Sequence, residues 1–370
     1  MKILKHIILA LIFFNLPSAA FKFISSGLSS PLSYFTLFLL LIYYFLVKKG
    51  KLNFWLILIG IGYYLISAFQ YTGDLVYLLT HIIKFFIVVI CGQELVKRTN
   101  VNEFFVYLLI GSLSVLVHAL FFTGDYGRFS GFYINPNIAG FICISGYGLT
   151  YGLKDGKLKL IGQFIFTLMG LLTFSRTFIA LWLLINLLSV YLNVRNLRIF
   201  GLGFLILTTL FYIDEAVVKL ENPRFKQLKA IVTNERVNRT QILEDARTET
   251  WAGFYRYISE KPFFGNGYGS FQGGGLKIGG AHNTYLLVFG EAGILPFILF
   301  SAFFAYLFFQ SISIFKRNPN LLLQTIALSV FLLANHNFFN FFYITLTAMW
   351  IHHQIEINKR KVPKTVLENA

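Results

Sequence analysis

Residues 75–98 read LVYLLTHIIKFFIVVICGQELVKR, an almost unbroken apolar run that stops at the adjacent cations Lys97 and Arg98. A helix of about 20 apolar residues crosses the hydrocarbon core of a bilayer, so this stretch is typical of a transmembrane helix. Similar runs recur along the chain of 370 residues, which is 56% hydrophobic and only 13% charged, with a mean hydropathy of +0.66. This composition excludes a soluble globular protein and predicts an integral membrane protein.

Apolar runs bounded by charged and turn residues predict an all-α polytopic protein with about twelve transmembrane helices. The predicted spans are 3–20, 32–47, 52–69, 75–96, 104–122, 138–153, 158–174, 178–194, 199–213, 284–310, 321–334 and 338–353. They give a nine-helix membrane region at 1–213, one large polar loop at 214–283, and a three-helix membrane region with a cytoplasmic tail at 284–370. Several spans are shorter than about 20 residues, so the last two could instead form a re-entrant hairpin.

The distribution of charge between the short loops predicts the orientation. With the N-terminus inside, the short cytoplasmic segments carry 18 cations: Lys2, Lys5, Lys48, Lys49, Lys51, Lys97, Arg98, Lys154, Lys157, Lys159, Arg195, Arg198, Lys316, Arg317, Lys359, Arg360, Lys361 and Lys364. The short outer segments carry three, Lys22, Arg128 and Arg176. Cytoplasmic loops are enriched in Lys and Arg, so both termini are predicted to be cytoplasmic and the large loop extracytoplasmic. Orientation and lipid headgroups account for the net charge of +16, and no nucleic-acid partner is expected.

Several chemistries are disfavoured by what the sequence lacks. The two cysteines, Cys91 and Cys143, lie in separate apolar segments, which argues against a disulfide framework or a Cys-rich metal site. The HExxH, GxSxG and aspartate-rich metal motifs are absent, as is the Gly-x-x-x-x-Gly-Lys-Ser/Thr spacing of a nucleotide site. We therefore expect neither a metal nor another cofactor.

The loop at 214–283 holds most of the residues that could carry chemistry. Its middle, 236–258, contains a single glycine and no proline, which predicts a helix that Pro262 ends. The following stretch, 263–280, is rich in glycine. Glycine permits positive φ and close approach of the backbone to a ligand, although a flexible surface loop has the same composition.

Three residues at the predicted outer membrane boundary are candidates for chemistry: Arg176, Arg247 and His282. Arginine keeps its charge and presents a planar fork of donors that suits phosphate oxygens, while histidine can accept a proton from a hydroxyl near neutral pH. Each has a plainer alternative. Arg176 could reach lipid headgroups, Arg247 could pair with acids on its own helix, and His282 could simply occupy a helix boundary.

A second outer segment, 123–137, combines Arg128, Asn135 and Asn137 with aromatic residues. Aromatic faces together with amide and guanidinium donors are typical of carbohydrate recognition, whereas Tyr and Phe also serve as anchors at the membrane interface. Glu291 lies inside the tenth predicted span, where a functional role and a buried ion pair with a cation are both open.

Taken in order, five motifs resemble those of the O-antigen polymerase and O-antigen ligase family of bacterial inner-membrane glycosyltransferases. They are GFYINPNIAG at 131–140, SRT at 175–177, Arg247 with Trp251, KPFFGNGYG at 261–269, and HNTYL at 282–286 followed by EAG at 291–293. Each motif alone is weak, and their order together with the twelve-span plan makes the resemblance specific.

The resemblance implies a GT-C-like helical enzyme of the bacterial inner membrane, with its active site between the membrane helices and the periplasmic loop. The implied donor is an oligosaccharide linked to undecaprenyl diphosphate, which passes to a sugar hydroxyl without a metal. Carried over by motif, Arg176 and Arg247 would hold the diphosphate, and His282 would activate the acceptor or assist the leaving group. The same motifs suggest substrate contacts from Arg128, Asn135, Asn137, Trp251, Asn283 and Tyr285.

The acceptor separates the functional alternatives. A polymerase, which we favour, passes the chain to another lipid-linked glycan, whereas a ligase passes it to lipid A-core. Membrane lipids and a chain-length regulator are further candidate partners. A transporter of lipid-linked sugars is the competing class, and it is disfavoured because the polar residues concentrate in one outer loop and no internal repeat is visible.

Overall fold

The computed structural model describes residues 1–122, 128–216, 247–273 and 279–360. Within these ranges the protein is helical and has no β-strand, with one isolated antiparallel bridge between Gln272 and Gly280. The α-helices are α1 (Lys2–Phe13), α2 (Leu16–Phe23), α3 (Ser29–Leu46), α4 (Phe54–Phe69), α5 (Leu75–Lys97), α6 (Val101–Phe121), α7 (Pro136–Leu149), α8 (Gly156–Leu172), α9 (Arg176–Leu192), α10 (Arg198–Ala216), α11 (Arg247–Glu260), α12 (Thr284–Ala292), α13 (Ile294–Ser313), α14 (Pro319–Leu333) and α15 (Phe342–Arg360).

Four helices of the described part are long and apolar enough to cross a membrane: Ser26–Leu46, which includes α3, and α5, α6 and α13. A fifth follows if α1 and α2 form one bent span, and α4, α9 and α14 are shorter apolar helices. Large apolar side chains face outward, as expected of helices surrounded by lipid; Phe69 and Phe121 are each 74% exposed. The predicted all-helical membrane class is confirmed, and the twelve crossings stay a prediction.

The chain divides into two compact units. The first comprises Met1–Ile8, Ser33–Asn100 and Ala246–Ala370, and in it α5 packs against α15 and α4, while α12 packs against α4 and α13. The second comprises Leu9–Leu32 and Val101–Asp245, and in it α6, α7 and α8 pack on one another and α9 packs on α7. The domain boundaries predicted at 213 and 283 were drawn from membrane topology, whereas these two units are defined by contacts between residues. The predicted boundaries therefore stay a prediction.

The tenth predicted span, 284–310, is not one continuous helix. Gly293 has φ 82° and separates α12 from α13. A Cβ at this position would lie 2.0 Å from the carbonyl oxygen of Phe263, so a neighbouring segment of chain occupies the break. The amide of Ile294, which lacks its helical partner, donates to the carbonyl oxygen of Pro262 at 2.9 Å. The prediction of an unbroken helix is therefore wrong here, because a tertiary contact satisfies the freed backbone group.

The first predicted span, 3–20, is also interrupted. Helices α1 and α2 meet at 54°, and Asn15 between them has φ 48°. Pro17 lies in the first turn of α2 and has no amide hydrogen with which to continue the hydrogen bonding of α1. The carboxamide oxygen of Asn15 accepts a hydrogen bond from the hydroxyl of Ser18 at 3.0 Å, which closes the new turn.

Candidate functional site

The glycine-rich segment is anchored where the structure describes it, at 261–273. The amide of Asn266 donates to the carbonyl oxygen of Gly290 at 2.7 Å, and the amide of Gly267 donates to that of Glu291 at 3.1 Å. The amide of Tyr268 donates to the carbonyl oxygen of Ser67 at 3.0 Å. These bonds fasten the segment to the end of α4 and to α12, so this part is not a loose surface loop.

Gly267 explains why the segment needs glycine. Its φ is 92°, and a Cβ would lie 2.5 Å from the carbonyl oxygen of Gln70, just beyond the end of α4. Glycine is required because the backbone is left-handed and touches another backbone. The close approach predicted from the sequence is therefore found, but at Gly267 it is made to the protein itself rather than to a ligand.

The buried side chain of Glu291 forms hydrogen bonds with the same glycine-rich segment. Its side chain is fully buried, and its carboxyl group accepts hydrogen bonds from the hydroxyl of Tyr63 at 2.5 Å, the amide of Phe271 at 2.9 Å and the carboxamide of Gln272 at 3.2 Å. All three donors are neutral. Of the alternatives left open by the sequence, the ion pair with a cation is not found among the described residues, and there Glu291 holds the glycine-rich segment against α4.

Trp251 positions the backbone beside His282. Its indole N–H donates to the carbonyl oxygen of Ala281 at 3.1 Å, and the amide of Ala281 donates to the carbonyl oxygen of Phe271 at 2.9 Å. His282 follows in the left-handed region at φ 46°, which is uncommon for a residue other than glycine, and its side chain is exposed. Asn15 and Phe174 also have positive φ, but both are buried, whereas the side chain of His282 is exposed. Local strain concentrates at functional sites, so an exposed histidine in this conformation is a candidate for chemistry.

Asn283 and Tyr285 face inward rather than outward. The side chain of Asn283 accepts the amide of Leu286 at 3.1 Å and caps α12. The ring of Tyr285 packs against Phe300 and Phe304 at centroid distances of 5.3 and 5.9 Å. Both residues, predicted to contact substrate, thus have structural partners that fix the start of α12 next to His282.

A second histidine, which the sequence analysis missed, lies next to the first. The rings of His282 and His336 are 5.0 Å apart. The hydroxyl of Thr284 donates to the carbonyl oxygen of Asn335 at 2.6 Å and holds the segment between α14 and α15 in place. Burial, with a contribution from His282, lowers the pKa of His336 to about 4. His336 is therefore neutral at physiological pH, and the polar run Asn335-His336-Asn337 between two apolar segments was its only signal in the sequence.

Arg247 is the first residue of α11, one helical turn before Trp251. The predicted helix 236–258 is confirmed from Arg247 onward and continues to Glu260, just before Pro262. Its first part, 236–246, and the side chain of Arg247 lie outside what is described. A contact of Arg247 with His282 stays a prediction.

In the second unit, side-chain hydrogen bonds link the N-termini of α7 and α9 through Asn135, Asn137 and Ser175. Asn135 caps α7 by accepting the amide of Asn137 at 2.8 Å, and Ser175 caps α9 by accepting the amide of Phe178 at 3.3 Å. The hydroxyl of Ser175 donates to the carboxamide oxygen of Asn137 at 3.1 Å, which brings the two N-termini together. Helix N-termini carry partial positive charge, and Arg176 is exposed at the first position of α9. This end of the unit is suited to an anionic group.

His118 supports the chain that follows Arg128. Its buried Nδ1 accepts the amides of Ser130 at 3.0 Å and Gly131 at 3.1 Å. The hydroxyl of Ser114 accepts the amide of Phe132 at 3.0 Å. Sequence analysis did not single out His118, although an ionisable residue inside an apolar helix was a readable signal. Arg128 itself is half-buried, two residues before this anchor.

Comparison with known proteins connects these residues with a family. Residues 161–301 match a family described as O-antigen ligase. The matched range contains Arg176, Arg247 and His282, and the resemblance drawn from the motifs is confirmed by it. No curated protein and no solved structure matches the chain.

Proposed function

We propose that this protein is a membrane glycosyltransferase that passes a glycan from undecaprenyl diphosphate to a sugar hydroxyl, with another lipid-linked glycan as acceptor. The observation that carries the proposal is that the O-antigen ligase match covers the three candidate residues Arg176, Arg247 and His282. The strained and exposed conformation of His282, held by Trp251 through Ala281, supports a chemical role for this residue.

In the proposed reaction the acceptor hydroxyl oxygen attacks the anomeric carbon of the donor glycan. The bond from that carbon to the diphosphate oxygen breaks, and the undecaprenyl diphosphate leaves with the bonding electrons. His282 accepts the hydroxyl proton, and Arg176 and Arg247 stabilise the charge that develops on the leaving group. His336 is neutral beside His282, so it adds no competing positive charge to the proton acceptor.

Arg128 and Trp251 stay candidates for glycan contact, and Trp251 also holds Ala281 beside His282. Asn135, Asn137 and Asn283 already stabilise the helix starts that carry Arg176 and His282, and we assign them to positioning. Tyr285 belongs to the same group because its ring packs on α13.

The membrane arrangement that accompanies this function is a GT-C-like protein of the bacterial inner membrane with about twelve crossings. Both termini are cytoplasmic in this proposal, and the loop at 214–283 faces the periplasm together with the active site. The excess of cations in the short cytoplasmic loops supports this orientation.

A ligase that transfers the chain to lipid A-core is the second candidate, because the matching family is described as O-antigen ligase. The same three residues serve either reaction, so the acceptor alone distinguishes the two candidates. A chain-length regulator is a proposed partner of the polymerase only.

The test replaces His282 by Ala in the purified protein. Transfer should fall by roughly 10² to 10⁴, the range of general acid–base catalysis, while binding of the lipid-diphosphate donor is retained. The matched control is His6→Ala, since His6 is exposed on α1. Undiminished transfer in His282→Ala would contradict the proposed role, and an equal loss in His6→Ala would attribute the effect to general damage.

A further inference from the structure

The first unit contains a cavity of about 460 Å³ at the end of α5. Its walls come from the segment before α4, from the last turns of α5 and from the second half of α15. The lining residues that matter for its chemistry are Lys51, Asn53, Lys97, His352, Glu356 and Arg360.

This cavity and the candidate catalytic site lie at opposite ends of the same helices. Asn53, which precedes α4, lines the cavity, while Ser67 in the last turn of α4 binds Tyr268 of the glycine-rich segment. Helix α5 has 23 residues, which corresponds to about 34 Å at 1.5 Å per residue, and it ends at Lys97 beside the cavity. The other end of α5 is near the glycine-rich segment, since the ring of Tyr77 lies 6.3 Å from that of Tyr268. In the proposed topology α5 crosses the membrane, which puts the cavity and the glycine-rich segment on opposite sides of it. The cavity lies at the cation-rich end, which is cytoplasmic in the proposed orientation.

The walls of the cavity are fixed by hydrogen bonds. The amide of Asn53 donates to the carboxamide oxygen of Gln93 at 2.5 Å, and the carboxamide nitrogen of Gln93 donates to the carbonyl oxygen of Asn53 at 3.2 Å. The ammonium group of Lys97 donates to the carbonyl oxygen of Lys51 at 2.7 Å. The segment that carries Lys51 and Asn53 is therefore tied to α5, and the cavity is formed before a ligand enters.

The hydrogen bonds of Asn53 define the tautomer of His352. The carboxamide oxygen of Asn53 accepts the amide of Trp55 at 3.0 Å, so its carboxamide nitrogen is the atom 3.0 Å from Nδ1 of His352. A carboxamide nitrogen only donates, hence Nδ1 accepts and the proton of the neutral ring is on Nε2. His352, which lines the cavity, thus carries its N–H donor on Nε2.

Around the cavity the lysine and arginine side chains outnumber the acidic side chains. Glu94 accepts both Lys97 at 2.7 Å and Arg98 at 2.5 Å, so one acid serves two cations. Glu356 is engaged by the hydroxyl of Tyr306 at 2.5 Å and by Lys359 at 3.7 Å.

Neither Lys51 nor Arg360 forms an ion pair with an acid in the described part of the chain. Lys51 and Arg360 are exposed at the cavity, and Glu356 is the one acid in its lining. Because Glu356 is already engaged by Tyr306 and Lys359, the cations at the cavity outnumber the acids.

We propose that this cavity binds a phosphate-bearing ligand at the cytoplasmic face, separately from the transfer site. Lys51 and Arg360 supply the charge, and the Nε2–H of His352 supplies a directed hydrogen bond. Arginine and lysine together with neutral donors are the groups that bind phosphate oxygens in proteins. The phosphate can come from the headgroup of an inner-leaflet phospholipid or from a soluble phosphate, and the ligand chemistry is the same.

The test measures binding to the full chain purified in a maltoside detergent, which contains no phosphate. Isothermal titration is run with inorganic phosphate and with short-chain phosphatidylglycerol, each against potassium chloride at the same ionic strength. Saturable binding of either probe is expected. Binding of phosphatidylglycerol alone identifies a lipid headgroup as the source, and binding of phosphate at equal or higher affinity identifies a soluble ligand.

The variant Lys51→Gln with Arg360→Gln should lower the affinity for the bound probe by about tenfold or more, because two charge-assisted hydrogen bonds are removed. Lys49→Gln is the matched control, since Lys49 is exposed two residues away and does not line the cavity. If the double variant is not monodisperse, the single variant Lys51→Gln carries the test with an expected loss of about threefold or more. Absence of saturable binding in the wild type, or an equal loss in Lys49→Gln, would overturn the proposal.

Discussion

Replacement of Gly267 by Ala tests whether the glycine-rich segment is held against α4 as described. A Cβ at Gly267 would lie 2.5 Å from the carbonyl oxygen of Gln70, and the residue has φ 92°. The left-handed conformation costs a residue other than glycine roughly 1–2 kcal/mol, and a forced shift of packed groups costs about 1–3 kcal/mol more. The expected loss of stability is therefore about 2–5 kcal/mol.

Substitutions at two further glycines distinguish the cost of the left-handed backbone from the cost of the steric contact. Gly269 has φ 80° and no atom within 4 Å of a new Cβ, so Gly269→Ala should lose only the conformational term of roughly 1–2 kcal/mol. Gly253, in α11, also has open space and has no positive φ, so Gly253→Ala should gain about 0.5–1 kcal/mol of helix propensity.

The assay is the thermal midpoint of the purified protein in detergent, measured alongside glycan transfer. The expected order of Tm is Gly253→Ala at or above the wild type, then Gly269→Ala, then Gly267→Ala. Transfer should fall furthest in Gly267→Ala, because the segment also holds Ala281 beside His282 through the carbonyl oxygen of Phe271. Equal Tm values for Gly267→Ala and Gly269→Ala would refute the close contact with α4.

Three other substitutions, two of them with a control variant, and a fusion experiment test separate parts of the account. Arg247→Lys keeps the charge but loses the planar fork, so transfer should fall strongly at an unchanged protein level, whereas Arg256→Ala on the same helix, where Arg256 pairs with Glu260 in solvent, should leave transfer intact. Ser175→Ala removes the cap of α9 and should cost about 1 kcal/mol, seen as a lower Tm that Ser175→Thr largely restores. The pKa of His336 is lowered to about 4 from an ordinary value near 6.5, so the unfolded chain binds more protons between these values and stability should fall as pH decreases through this window. The decrease in Tm between pH 7.5 and pH 5 should be smaller in His336→Gln than in the wild type. Alkaline phosphatase should be active when fused after residue 275 and inactive at the C-terminus, and the opposite pattern would reverse the orientation.

The helical class was predictable because apolar runs such as that of α5 encode it locally. The interruptions within two of the predicted spans could not be predicted from the same pattern. At 284–310 the apolar pattern continues through Gly293, and the reason for the break is a contact with Pro262 and Phe263, which are remote in sequence. Such an interruption depends on which segment packs there, and hydropathy does not contain that information.

Only part of the candidate site was predictable, because some of its residues are brought together by tertiary packing. His282 stood out by residue type and motif, whereas its neighbour His336 belongs to a different segment that only the fold brings to it. Asn135 was interpreted as a substrate contact, yet Asn followed by Pro136 is also the signature of a helix start, and the structure shows the cap. Side-chain type alone does not separate an amide that binds sugar from an amide that caps a helix.

The most direct test of the central claim is glycan transfer by the purified protein. The protein is supplied with an undecaprenyl-diphosphate-linked repeat unit, with and without lipid A-core, and the size of the products is followed in the presence of EDTA. We expect products that lengthen without lipid A-core and without added metal, with loss of the reaction in Arg247→Ala and His282→Ala. Transfer only to lipid A-core would identify the ligase, and a metal requirement would contradict the arginine-based mechanism. No product under any condition, with movement of the lipid-linked unit across the membrane intact, would contradict the central claim and favour a transporter.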